Sequence, residues 1–146
     1  MIPKGLLIAV SVGVLSGAIL GVFLIISESN QVKFVEGASL SIVTEKTDYQ
    51  IGEPIEIHIV NSGTIPLTFS DSSYGVKITA LDGTLIYFPE SEKNQMILQP
   101  HEEKNLVWNQ MKNDGEQSLQ GTYKISAESL AQNKQVKKST TINIFK

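Results

Sequence analysis

Residues 51–69 read I-G-E-P-I-E-I-H-I-V-N-S-G-T-I-P-L-T-F. Ile55, Ile57 and Ile59 alternate with Glu56, His58 and Val60. A period of two sends successive side chains to opposite faces of an extended chain, so this is a strand with one buried face. Asn61, Ser62 and Gly63 then supply a turn, because Asn and Gly tolerate unusual backbone angles. Pro66 cannot donate a ladder hydrogen bond and marks an edge or a bulge. Leu67 and Phe69 return to the core. The stretch reads as architecture, not as a catalytic segment.

The same rhythm continues on both sides. Ser39 to Thr44 is a first strand, Thr47 to Glu53 an ordering loop, and Pro54 opens the isoleucine strand. Val76, Ile78 and Ala80 alternate with Lys77 and Thr79 ahead of Asp82-Gly83, a hairpin signal. Leu85 to Phe88 returns and Pro89 ends it. Met96 to Leu98 is a short strand closed by Pro100, and Lys104 to Trp108 is another. Tyr123, Ile125 and Ala127 face one way while Lys124, Ser126 and Glu128 face the other. Val136 to Phe145 is the last strand. No helical period is sustained after Ile26. About seven to nine short strands predict an all-β domain over residues 38–146, an Ig-like two-sheet antiparallel β-sandwich. Gly121-Thr122-Tyr123 fits a tyrosine corner, in which the phenol bonds back to the preceding loop. Trp108 reads as core.

Leu6 to Ile26 is different in kind: 21 residues without a charge. As a helix it spans roughly 32 Å, against a hydrocarbon core of about 30 Å. We read it as an uncleaved, single-pass transmembrane helix. The rival is a secretory signal peptide, whose apolar region runs about 7–15 residues to a small-x-small site. Ser27-Glu28-Ser29 matches such a site only loosely. Lys4 precedes the helix and Glu28 is the first charge after it, so residues 1–5 stay cytoplasmic and the C-terminal domain is extracytoplasmic. Residues 27–37 form a linker. Lys4-Gly5 also resembles a prepilin-type signal, although Val10 stands where that signal has glutamate. Ala9, Gly13, Gly17 and Gly21 recur every four residues along one stripe. Small residues at that spacing let helices approach closely, so helix self-association or packing on a partner helix is expected.

Composition removes several functions. All 12 basic residues are lysine, there is no cysteine, and the net charge is −3 across 146 residues. Nucleic-acid binding needs a basic face and is not expected. His58 and His101 show no metal-ligand spacing, and H-E-E-K-N at 101–105 lacks the second histidine of a zincin helix. No serine sits in a G-x-S-x-G elbow. Glu90, Glu92, Glu102 and Glu103 read as a solvated face. Residues 124–146 carry Lys124, Lys134, Lys137, Lys138 and Lys146 against Glu128. They read as an edge strand guarded by lysine, with an acidic partner or surface as the alternative. No catalytic residue, metal or cofactor is expected, and the chain does not read as an enzyme.

The ordered motifs together are similar to a known family. Residues 51–69 resemble the opening of the BsuPI family, named for an intracellular proteinase inhibitor. Tyr74-Gly75-Val76, Asp82-Gly83 and Leu85-Ile86-Tyr87 resemble its next stretch. Leu98-Gln99-Pro100-His101-Glu102 is similar to its L-x-P-G-E, Trp108 to its single tryptophan, and Gly121 to Ala127 to its P-G-x-Y-x-V-x-A. The resemblance covers roughly residues 45–130. Gly75 stands where the family has aspartate, His101 where it has glycine, and Gln120 where it has proline. The resemblance implies the sandwich fold and, as a candidate activity, inhibition of a serine proteinase. The sequence therefore leads to a membrane-anchored protein-binding domain, its partner a protease or a subunit of a membrane or surface complex. The alternative is a structural or accessory subunit of a cell-surface filament or membrane complex.

Overall fold

The computed structural model describes residues 31–146. The expected transmembrane helix at 6–26, with Ala9, Gly13, Gly17 and Gly21, lies outside the described residues. Among the described residues no helix is long and apolar enough to cross a membrane.

Residues Val32–Lys146 form one compact unit. Its strands are β1 (Leu40–Thr44), β2 (Asp48–Gln50), β3 (Ile55–Asn61), β4 (Leu67–Phe69) and β5 (Lys77–Ala80). They are followed by β6 (Leu85–Tyr87), β7 (Met96–Leu98), β8 (Glu103–Trp108), β9 (Gly121–Ala131) and β10 (Lys134–Phe145). A 3-stranded sheet runs β1-β3-β8, and a 7-stranded sheet runs β2-β10-β9-β4-β7, with β5 joining β9 to β6. The domain is all-β, and the two sheets fit a β-sandwich.

The inward faces follow the alternation read from the sequence. Ile55, Ile57 and Ile59 of β3 are buried with Leu67 and Phe69, Ile78, Tyr123 and Ile125, and Ile142 and Ile144. Each such side chain contributes roughly 1.5–3 kcal/mol of transfer free energy. Trp108 closes one end of this core, stacked on Tyr87 (ring centroids 6.1 Å) and edge-on to Tyr123 (5.7 Å). Its indole Nε1 donates to the Met111 carbonyl at 2.9 Å. Tyr123 forms the expected corner, its hydroxyl donating to the Leu119 carbonyl at 2.6 Å. Burial raises the pKa of that phenol.

Two features depart from the expectation. Thr47–Glu53 is more than a loop, because Asp48–Gln50 pairs in parallel with Asn143–Phe145. A three-residue strand has no period to read, and its partner lies at the far end of the chain. β9 and β10 are also longer than the alternation suggested. Their turn, Gln132-Asn133, has φ of 49° and 65°, the left-handed pair that a two-residue hairpin requires.

Asn61-Ser62-Gly63 is a junction as well as a turn. Asn61 is fully buried. Its amide donates to the carbonyls of Ile65 and Leu98, both at 2.9 Å, and its Oδ1 accepts the Gly63 N–H at 3.0 Å. The Ser62 hydroxyl meets those of Ser39 (2.8 Å) and Ser41 (2.7 Å). Residues before β1 lie against this turn: Val35 N–H donates to Ser62 O and Thr64 N–H to Gly37 O. A Cβ on Gly63 would stand 2.1 Å from the Gly37 carbonyl oxygen, so only glycine permits that approach.

β9 serves two strands on the side away from β10. Lys77–Ala80 of β5 pairs with Tyr123–Ser126, and Thr68 of β4 pairs with Leu130. In the gap between them Gly75, at φ 64°, lies directly on the backbone of Glu128.

Candidate functional site

A concave surface lies between β6 and β8. β8 pairs on one side with β3 and, among the described residues, has no strand on the other. β6 pairs only with β5. Between them is a cleft of about 500 Å³. Ile57, Val76, Leu106 and Trp108 form its floor, with Tyr87 and Val107 on its walls. Glu90 and Lys112 stand at its polar side.

The loop after β8 shapes this cleft. Asn113 clamps the end of β6, accepting the Phe88 N–H with Oδ1 and donating to the Phe88 carbonyl, both at 2.9 Å. The loop is closed by Lys112 N–H on Glu116 O and by a Lys112–Glu116 ion pair at 2.9 Å. Glu116 raises the Lys112 pKa, first through the side-chain hydrogen bond. The lining contains no Ser, Cys or His. It offers apolar side chains, an open strand edge and one charge of each sign.

The histidines do not meet. His58 Nδ1 lies 2.6 Å from Glu103 Oε1 and its Nε2 lies 3.8 Å from Glu56. His101, at φ 68°, stacks on Phe34 with centroids 4.6 Å apart. Among the described residues no group of three or more His, Cys, Asp or Glu is arranged to hold a metal ion. Glu90, Glu92, Glu102 and Glu103, read as a solvated face, are all exposed, and two of them also brace local turns. Glu92 accepts from Asn94 Nδ2, and Glu102 from the Gln99 N–H. Asp71 is held by the Ser73 hydroxyl and N–H.

These local bonds set a pH dependence. The Ser73 hydroxyl chiefly lowers the Asp71 pKa, and the Lys46 ammonium followed by the Gln50 N–H lowers that of Glu53. A depressed folded-state pKa stabilises the fold above the unfolded value and loses that contribution as pH falls through the folded one. Stability should therefore decline on acidification below about pH 4. Carboxyl-carbon NMR titration should place the Asp71 and Glu53 midpoints below the ordinary values of about 3.9 and 4.3. Ser73→Ala should raise the Asp71 midpoint alone.

No protein-family model and no curated protein matches the chain. Among solved structures, the sporulation control protein Spo0M from Bacillus subtilis is similar at 18% identity with a TM-score of 0.39. The alignment covers 75% of this chain and 49% of that one. A beta-glucosidase from Listeria innocua, in complex with gluconolactone, is similar at 13% identity with a TM-score of 0.32. There the coverage is 73% of this chain and 16% of that one. The chain thus spans less than half the length of either protein.

One residue that organises the loops gave no sequence signal. Gln110 is fully buried at φ 62°. Its Oε1 accepts the Gly52 N–H at 2.9 Å, and its Nε2 donates to the carbonyls of Gln50 and Glu53, both at 2.8 Å. It fastens the β2–β3 connection to the loop that follows β8. A glutamine in the polar run Asn109–Gln117 looks like any solvated loop residue, since its partners lie some sixty positions earlier.

Proposed function

We propose that this chain is a membrane-anchored, extracytoplasmic, non-catalytic protein-binding domain, an Ig-like sandwich of the BsuPI type. The observation that carries the reading is the β6–β8 cleft, where Tyr87 and Trp108 lie beside an open strand edge. Such a surface takes an extended peptide by main-chain pairing, with pockets for alternate side chains. The resemblance adds inhibition of a serine proteinase as the candidate activity, and rests on the motifs quoted above. One detail supports it: His101 holds a left-handed φ of 68° where the family has glycine, the residue that adopts it without strain.

A photo-crosslinking residue at Val107, in the full-length chain in its native membrane, tests the reading. One discrete protein adduct is expected, lost when Tyr87→Ala reshapes the cleft. Absence of any protein adduct would sink the binding role. For the inhibitor reading, the full-length chain should slow a subtilisin-like protease at micromolar concentration. The filament or complex-subunit alternative is motivated by Lys4-Gly5 and the small-residue stripe. It predicts that substitution of Gly17 by isoleucine weakens helix association.

A further inference from the structure

β10 pairs with β9 from Lys134 to Ile144 on one side. On the other side β2 covers only Asn143–Phe145. Among the described residues, Lys134–Ile142 has no strand hydrogen-bonded to it there, although β1 packs close to β10. The Asn143 N–H donates to Thr47 O on that open side, and alternate residues of an extended strand point their N–H and C=O the same way. Gln135, Lys137, Ser139 and Thr141 therefore present main-chain donors and acceptors to the edge. The row is about 20 Å long at roughly 3.3 Å per residue.

Lysines outnumber acids around this edge. Residues paired across a ladder share a face. Lys134 and Lys138 pair with buried Ala131 and Ala127, and so flank the edge on the core side. Lys137 pairs with Glu128 on the outer face, where Lys124 and Lys77 continue the row on β9 and β5. The acid here, Glu128, is already bonded by Gln135. A protein of net charge −3 thus concentrates lysine on both sides of one open strand edge.

Lysine on an edge commonly keeps copies of a protein apart. A second copy pairing through β10 would set these lysines against their own kind, which excludes that occupant. A strand bearing carboxylates meets no such barrier, whichever face its acids take. We propose that the open edge of β10, Lys134–Thr141, takes an extended acidic peptide segment of a partner protein as an added strand. The edge supplies the main-chain hydrogen bonds, and the lysines select the charge. This surface shares no residue with the β6–β8 cleft and does not depend on it.

The test uses the full chain in detergent micelles and a fluorescent eight-residue peptide of alternating Glu and Val, read by anisotropy at low salt. Saturable binding is expected. The Lys137→Glu/Lys138→Glu double variant should weaken it at least ~10-fold, because each like charge adds repulsion at the edge. Ser139→Pro removes an edge donor while sparing the β9 ladder, and edge strands admit proline; it should weaken binding by a similar factor. A peptide N-methylated at alternate residues should fail on the unaltered chain, and a Lys-Val peptide should not bind. Unchanged near-UV dichroism from Trp108 checks the fold of each variant. If the N-methylated peptide and Ser139→Pro bind as well as their parents, while the lysine variant loses binding, the attraction is charge alone and the added strand is overturned. No saturable binding at millimolar peptide overturns it too. Tyr87→Ala should leave this binding unchanged, which separates its outcome from that of the cleft.

Discussion

Asn61→Ala is expected to lower stability by about 3–5 kcal/mol, read as a fall in the urea midpoint at constant slope. The side chain has no solvent exposure, and both amide protons and the carbonyl oxygen are hydrogen-bonded. Alanine would leave the carbonyls of Leu98 and Ile65 and the N–H of Gly63 without partners. Each buried orphan costs about 1–3 kcal/mol, far more than a hydrogen bond contributes net. The loss spreads because the Asn61 backbone also holds the 99–102 turn, accepting from His101 N–H and donating to Glu102 O. Asn61→Asp keeps the shape but aims an acceptor at two carbonyl oxygens, and should be at least as damaging. A loss below about 1 kcal/mol for the alanine variant would mean that the junction can satisfy itself otherwise.

Gly75→Ala should cost about 3 kcal/mol or more and lower Tm by roughly 12–20 °C. A Cβ there would lie 2.4 Å from the Glu128 carbonyl oxygen and 3.0 Å from its nitrogen. Those are backbone atoms of β9, held by β10 on one side and by β5 and β4 on the other, so they cannot yield alone. The left-handed φ of 64° adds its own cost, about 1–2 kcal/mol for an L-residue. Gly83→Ala separates the two effects, because Gly83 has φ 91° with nothing within 4 Å of its Cβ position. If both variants melt alike, the steric argument is wrong.

What the sequence disclosed and what it hid divide along one physical line. Alternation is local, so β1, β3, β5, β6, β8 and the inward isoleucines could be read from neighbours alone. The Asp82-Gly83 turn and the Tyr123 corner carry their own residue chemistry. Asn61 was legible as a turn residue but not as a buried junction, because Leu98 is 37 positions away. Gln110 was silent for the same reason. β2 could not be read at all, since its pairing with Asn143–Phe145 is the whole of its identity as a strand. The Gln132-Asn133 turn lacks the usual glycine and hid the length of the hairpin. The β6–β8 cleft was invisible because it is made by two strand edges and a loop that meet only in three dimensions. The lysines of β10 were seen; that they stand on both faces of an open edge follows only from the ladder register.

The parallel pairing of β2 with β10 also fixes an order of events in time. A ribosome or a translocon delivers residues 48–50 nearly a hundred positions before residues 143–145, at about 5–20 residues per second in synthesis. Until β10 arrives, Thr47 and Phe145 cannot exchange their bonds with Asn143 and Ile51, and β9 lacks its longest neighbour. The 7-stranded sheet therefore closes last and from its C-terminal strand. A chain cut or stalled before Lys134 would carry a half-built sheet with β9 unpaired on its β10 side, the form most exposed to a protease or to another nascent copy.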